Sequence, residues 1–147
     1  MKEGRMSIFF DSNVIVDALT GRSRSGASLF LCKQAILGNI KGYIATKQIT
    51  DIAYVLRKYH FTSGDINSFL SVIMNNFIVL PTLPSDINYV LQNAKMKNFE
   101  DAILDEIAHV NCVKFFVTNN VKDFDNSRNV ISTPEEIMNL YTGTNDY

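Results

Sequence analysis

Short apolar runs separated by amphipathic stretches set the plan of this chain. Ile8-Phe9-Phe10 heads a first predicted strand over 7–11, which ends on Asp11 and turns straight into a helix through Leu19. Tyr43-Ile44-Ala45, Phe77–Leu80 (stopped by Pro81), Phe115–Thr118 and Val130–Ser132 read as four more short strands. Between them the 3.6-residue periodicity predicts helices over about 27–37, closed by Gly38, and about 47–59, with Ile49, Ile52, Ala53, Val55 and Leu56 as the apolar stripe. Further helices are expected over about 64–75 behind Thr62 or Ser63, about 86–95 behind Ser85, and about 99–111. Thr133-Pro134-Glu135-Glu136 opens a last one, with proline at the first helical position. Buried strands alternating with helices predict an α/β fold, a short parallel sheet covered on both faces. A polar loop follows Thr118. No repeat, low-complexity segment or linker interrupts the pattern, so one domain is expected over residues 1–147, frayed at 1–5 and 142–147.

Composition narrows the function classes. An apolar content of 46% and a charged content of 20% suit a globular domain with its own core. The formal net charge of -1 gives no general attraction to nucleic acid, so any such contact must come from a local basic patch. Cys32 and Cys112 are far apart and form no zinc-ligand spacing with the histidines. The polar start Met1-Lys2-Glu3-Gly4-Arg5 does not read as a secretory leader, and Met6 is a second candidate start. No apolar run reaches the length of a membrane span. The expectation is a cytoplasmic protein with reduced thiols and no membrane contact.

The chemistry is carried by acids at strand ends. Asp11 ends the first strand, where open α/β sheets place their ligands. Asp51 lies in the first turns of the helix after the second strand, Glu100 and Asp101 open the helix before Phe115, and Asp123 follows Thr118. A parallel sheet brings such positions to one edge. Ionised carboxylates gathered there repel one another unless a cation neutralises them. An all-oxygen set without His or Cys suits Mg²⁺ or Mn²⁺, and in-line attack of metal-activated water on a phosphodiester is the chemistry such a site does best.

Four segments in order resemble the motifs of PIN-domain ribonucleases: Phe10-Asp11-Ser12-Asn13-Val14-Ile15-Val16-Asp17, Thr50-Asp51-Ile52-Ala53-Tyr54-Val55-Leu56-Arg57-Lys58, Asn98-Phe99-Glu100-Asp101-Ala102-Ile103 and Val117-Thr118-Asn119-Asn120-Val121-Lys122-Asp123-Phe124. The ending Ile131–Ile137 is similar to a common close of that family, so the likeness spans nearly the whole chain. It implies a three-layer α/β/α sandwich, Rossmann-like, and a Mg²⁺- or Mn²⁺-dependent endoribonuclease acting on single-stranded RNA. It also implies the toxin half of a toxin–antitoxin pair, a homodimer held by an antitoxin protein. Asp11, Asp51, Asp101 and Asp123 are then the metal ligands and catalytic acids. Asn13, Thr118 and Asn120 support them, Asn13 by a hydrogen bond to Asp11. Lys122, Arg22 and Arg24 are the expected RNA contacts, with Arg57 and Lys58 as further candidates.

Departures from the family pattern leave an alternative. The second acid is commonly glutamate and here is Asp51; Asn98 and Asn120 stand where acids are frequent. A PIN-like RNA- or protein-binding module with a degraded metal site is therefore the competing reading. A haloacid-dehalogenase-type phosphatase would need a second acid where Asn13 stands, and a receiver domain an acidic pair before the first helix. Other polar residues have plainer expected roles. Glu100 complements a helix N-terminus. Asp17 is expected on the exposed face of its helix, and Asp105 with His109 as a solvated pair one turn apart.

Overall fold

Residue 8 starts a run of three side chains with no solvent exposure, and this run is the axis of the fold. Ser7–Phe10 forms strand β1, and Ile8, Phe9 and Phe10 are all fully buried. The computed structural model describes residues 4–22 and 25–143. Helices α1 (Ser12–Thr20) and α2 (Ala27–Ile36) lead to β2 (Lys41–Ala45). Helices α3 (Thr46–Lys58) and α4 (Ser63–Asn76) lead to β3 (Ile78–Leu80). Then come α5 (Pro84–Asn93), α6 (Phe99–Val110), β4 (Phe115–Val117), a 3₁₀ turn (Val121–Phe124), β5 (Val130–Ser132) and α7 (Pro134–Thr142).

The five strands are all parallel in the order β3-β2-β1-β4-β5, with Phe9 opposite Tyr43 on one side and Phe116 on the other. Strand pleating sends alternate side chains to opposite faces and builds two cores. Ile8, Phe10 and Ile44 pack with α1 to α4 and α7, through residues such as Val14, Leu31, Ile52, Ile73 and Ile137. Phe9, Ala45 and Phe116 pack on the other face with α5, α6 and Phe124. Phe9 stacks on Phe116 at 5.2 Å between centroids, and Phe10 meets Phe77 edge-on at 5.2 Å. The result is the expected three-layer α/β/α sandwich.

This strand order fixes where a ligand belongs. From β1 the chain winds outward through β2 and β3, then returns to the other side of β1 to make β4 and β5. The crevice at the carboxyl ends of β1 and β4 is the topological switch point, the position where open α/β sheets bind. Asp11 and Thr118 are the first residues past those two ends.

Several local expectations are corrected. Ser85 does not cap α5: Leu83 holds the N-cap position, Pro84 is the first helical residue, and buried Asp86 reaches back to accept from the Leu83 N–H at 2.8 Å. The loop after Thr118 contains the 3₁₀ turn that carries Asp123. Asp105 is not solvated but 5% exposed. The Ser127 hydroxyl and the Asn129 amide, from the turn after Phe124, donate to its carboxylate and cover it. Asp17 is only partly exposed, because Arg22 and Asn119 cover its carboxylate. At the termini, residues 1–3 and 144–147 lie outside the described residues, whereas Arg5 donates to the Gly38 carbonyl at 3.1 Å and α7 continues to Thr142.

Candidate functional site

The site begins with how β1 ends. Asp11 takes the N-cap position of α1, yet its side chain makes no capping bond. Its N–H donates to the Val117 carbonyl at 3.0 Å, tying the ends of β1 and β4 together. Its carboxylate accepts instead from the Thr118 hydroxyl at 2.7 Å and the Asn13 amide at 3.3 Å. Asp11 is thus held across the switch point rather than used as a helix cap. Burial pushes its carboxyl pKa above the usual range, opposed by the Thr118 hydrogen bond, the nearby backbone N–H groups of Ser12 and Asn13 and the Lys47 charge.

Three of the four predicted acids share a cleft. Asp11, Asp51 and Asp101 line an open cleft of about 310 Å³, together with Ser12, Asn13 and Asn120. Asp101 stands in the first turn of α6, positioned by the Asn98 side chain, which accepts from the Asp101 N–H at 2.9 Å. Asn98 therefore serves the helix as its cap. The Asp101 carboxyl is pushed up to about 6, first by burial and then by the negative charges of Asp11, Asp123 and Glu100, with Lys47 pulling the other way. Asp123 thus acts on Asp101 from beside the cleft. Asp51 reaches the cleft from α3, but it is exposed and pairs with Lys47 at 3.4 Å, one turn before it. Among the described residues, no three acidic, His or Cys side chains are drawn together tightly enough to grip a metal ion as they stand.

The supporting residues come from three elements. Thr118 holds Asp11 directly, and the Asn120 N–H donates to the same hydroxyl oxygen at 3.0 Å. Asn13 bonds Asp11 through its amide nitrogen, while its oxygen accepts from the Asn119 N–H at 3.3 Å. Sequence reasoning missed Gln48. It is fully buried, its oxygen accepts from the Ala45 N–H at 2.8 Å, and its nitrogen donates to the Phe10 carbonyl at 2.8 Å and the Ser12 hydroxyl at 3.1 Å. That residue locks α3 against the β1–α1 turn that presents Asp11. Asn119, which donates to Asp17 at 2.6 Å, was missed as well. The one signal for Gln48 was a polar residue one place before the apolar stripe of its helix.

The predicted basic residues divide. Arg22 lines the cleft, but its guanidinium pairs with Asp17 at 2.7 Å, bonds the Tyr59 hydroxyl and lies 4.9 Å over the Tyr59 ring. Arg24 lies outside the described residues. Lys58 rests over Tyr54 at 4.7 Å. Lys122 is exposed beside Asp123 and lines a second cleft.

A sheet order with β1 at the centre, acids from β1, α3, α6 and the turn after β4, and a match of the PIN-domain family model to residues 7–122 decide the family. The chain is a PIN-domain protein. Among solved structures it is similar to VapBC2 from Rickettsia felis bound to a promoter DNA fragment, with 15% identity, a TM-score of 0.63, and 87% of this chain and 98% of that chain covered. It is also similar to a toxin–antitoxin complex from Klebsiella pneumoniae, with 23% identity, a TM-score of 0.62 and coverage of 87% and 98%. A third similar structure is FitAB bound to a DNA fragment, with 15% identity, a TM-score of 0.60 and coverage of 86% and 94%. At such identities the likeness establishes the fold. No curated protein matches this sequence. Among the described residues, no helix of this PIN domain is long and apolar enough to cross a membrane.

Proposed function

We propose that this PIN-domain protein is an endoribonuclease that cleaves single-stranded RNA at the cleft between β1 and β4. The observation that carries the reading is the meeting of Asp11, Asp51 and Asp101 in one cleft, with Asp11 and Asp123 both raising the Asp101 carboxyl. A polyanion does not approach such a site, nor do the carboxylates tolerate one another, without a cation between them. The donors are all oxygens, which fits Mg²⁺ or Mn²⁺ and disfavours zinc. Asp11 and Asp101 would hold the ion, with Asp51 and Asp123 alongside; Asp51 must then leave Lys47. A bound ion of this class supplies activation of water and neutralisation of phosphodiester charge.

The chain's own residues do the positioning. Thr118 and Asn13 fix one Asp11 oxygen, Gln48 fixes the turn behind it, and the Asn98 cap fixes Asp101. Lys47 offsets part of the negative charge on Asp11 and Asp101 before any ion arrives. By likeness to the toxin–antitoxin complex from Klebsiella pneumoniae, we read the chain as a toxin restrained by an antitoxin protein; that it works as a homodimer is carried over from the family resemblance alone.

Incubation of the purified protein with labelled single-stranded RNA tests the activity. Cleavage is expected with Mn²⁺, none with EDTA, and none by Asp101→Asn even with Mn²⁺. Calorimetric titration with Mn²⁺ tests the site separately. A parent protein that binds no Mn²⁺ at millimolar concentration and leaves RNA intact would return the fold to the binding-module reading.

A further inference from the structure

The acids at the switch point explain chemistry but not affinity, since carboxylates repel the substrate they are to cleave. Counter-charge must come from cations that are free to meet phosphates. On one side of the cleft Arg22 is already engaged by Asp17, and Lys47, once Asp51 leaves it, still faces the Asp11 and Asp101 carboxylates. On the other side a second cleft, of about 210 Å³, opens between the α5–α6 loop and the 3₁₀ turn. Lys95, Lys97 and Lys122 line it against Asp123 and Asp125. All three lysines are exposed, and among the described residues none pairs with a carboxylate. Asp123 belongs to this cleft and also acts on Asp101, so the lysines begin where the acids end.

The path continues. Lys95 and Asn126 also line a neighbouring cavity of about 260 Å³ between α5 and α6. Its wall carries Tyr89, 38% exposed, with the Arg128 guanidinium 4.7 Å over the ring. Arg128 is anchored from below by buried Glu106. A planar cation fixed over an exposed ring is a surface on which an unpaired base stacks, and such stacking is tolerant of sequence. Double-stranded RNA, whose bases are stacked on one another, offers no such partner.

We propose that single-stranded RNA runs from the acidic cleft along Lys122, Lys97 and Lys95, with its phosphates on the three ammonium groups, and places a base on the Tyr89–Arg128 face. This inference rests on the ribonuclease reading and names the substrate path of that same site. It moves the main cationic contribution from Arg22 to the α5–α6 loop.

Steady-state cleavage of a mixed-sequence RNA dodecamer with Mn²⁺, followed over a range of salt concentrations, tests it. The full-length parent, the Lys95→Ala/Lys97→Ala double variant, Tyr89→Ala and Arg22→Ala are compared after melting curves show each is folded. The double variant should raise KM about tenfold with kcat unchanged. It should also flatten the slope of log kcat/KM against log salt by about 1.4, roughly 0.7 for each ammonium–phosphate pair removed from a single strand. Tyr89→Ala should raise KM about fivefold and leave the salt slope alone, because it removes stacking and no charge. A double variant with the parent's KM and slope overturns the lysine path, and more firmly so if Arg22→Ala changes both. A Tyr89→Ala variant with the parent's KM overturns the base-stacking surface. A parent that cleaves no RNA at all fells the ribonuclease reading itself, an outcome distinct from the other two because it appears before any variant is compared.

Discussion

Asp101→Asn should make the metal-free protein more stable near neutral pH while abolishing the site. The Asp101 carboxyl is raised from 3.8 to about 6. At ~1.4 kcal/mol per unit, that shift has an upper limit of about 3 kcal/mol for holding the charge in the folded state. The side chain is only partly buried, and solvent screening at such a position reduces the figure to about 1 kcal/mol. Asparagine also gives up a favourable charge at the α6 N-terminus, a loss of about 0.5 kcal/mol. The net gain is about 0.5 kcal/mol, or ~2 °C in melting temperature for a domain of this size.

The pH dependence carries the sign. A carboxyl whose folded pKa lies above its unfolded value binds more protons folded than unfolded between those two values. Its penalty is absent below about pH 4, grows as pH rises through the window to about 6, and is complete above it. The gap between variant and parent should therefore appear at about pH 7.5 and close at about pH 4. Melting curves in EDTA at a series of pH values measure it. Added Mn²⁺ should reverse the order, because only the parent gains RT ln(1 + [metal]/Kd). A variant that melts below the parent in EDTA at about pH 7.5, or a gap that does not change with pH, would refute the idea that Asp101 is held ionised against its neighbours.

Other expectations follow from single contacts. Thr118→Val removes the hydroxyl that Asp11 accepts from while keeping the shape, and should weaken Mn²⁺ binding about 10–100-fold by calorimetry. Gln48→Leu leaves the Ala45 N–H and the Phe10 carbonyl without a buried partner and should cost about 2–4 kcal/mol in urea unfolding. Gly42→Ala should destabilise by about 1–3 kcal/mol, because a methyl there would stand 2.9 Å from the Ala35 Cβ and 2.8 Å from Phe77 Cε2.

The parts legible in the sequence were those set by local physics. Alternation of short buried strands with amphipathic helices gave the layers, and Asp11 at the end of Ile8-Phe9-Phe10 marked the edge where a ligand belongs. Chain order also placed Asp51 and Asp101 with Asp11, because a parallel sheet sends every such connection to one side. What could not be read was pairing. Arg22, just past the Gly21 cap, is near Asp17 in sequence, but whether Asp17 is solvated or covered also depends on Asn119 from the loop after β4, and nothing in the spacing of α1 records that.

Asp105 and Gln48 make the same point from opposite directions. Both sit on helices whose sequence looks amphipathic, and both are buried because a distant segment supplies their hydrogen bonds. Asp105 receives the Ser127 hydroxyl and the Asn129 amide, at 2.7 Å for the latter, from the turn that follows the Asp123-bearing 3₁₀ segment. Asn129 donates to the Asp105 backbone carbonyl as well, at 2.9 Å. With the Arg128–Glu106 pair beside it, this contact ties the far side of the 3₁₀ turn to α6, the helix that presents Asp101. Gln48 ties α3, which presents Asp51, to the turn that presents Asp11. Buried polar residues of this kind carry no chemistry of their own. They set the distances between acids that come from different elements, so their loss should appear first as weaker metal affinity, ahead of any change in which bond is cut.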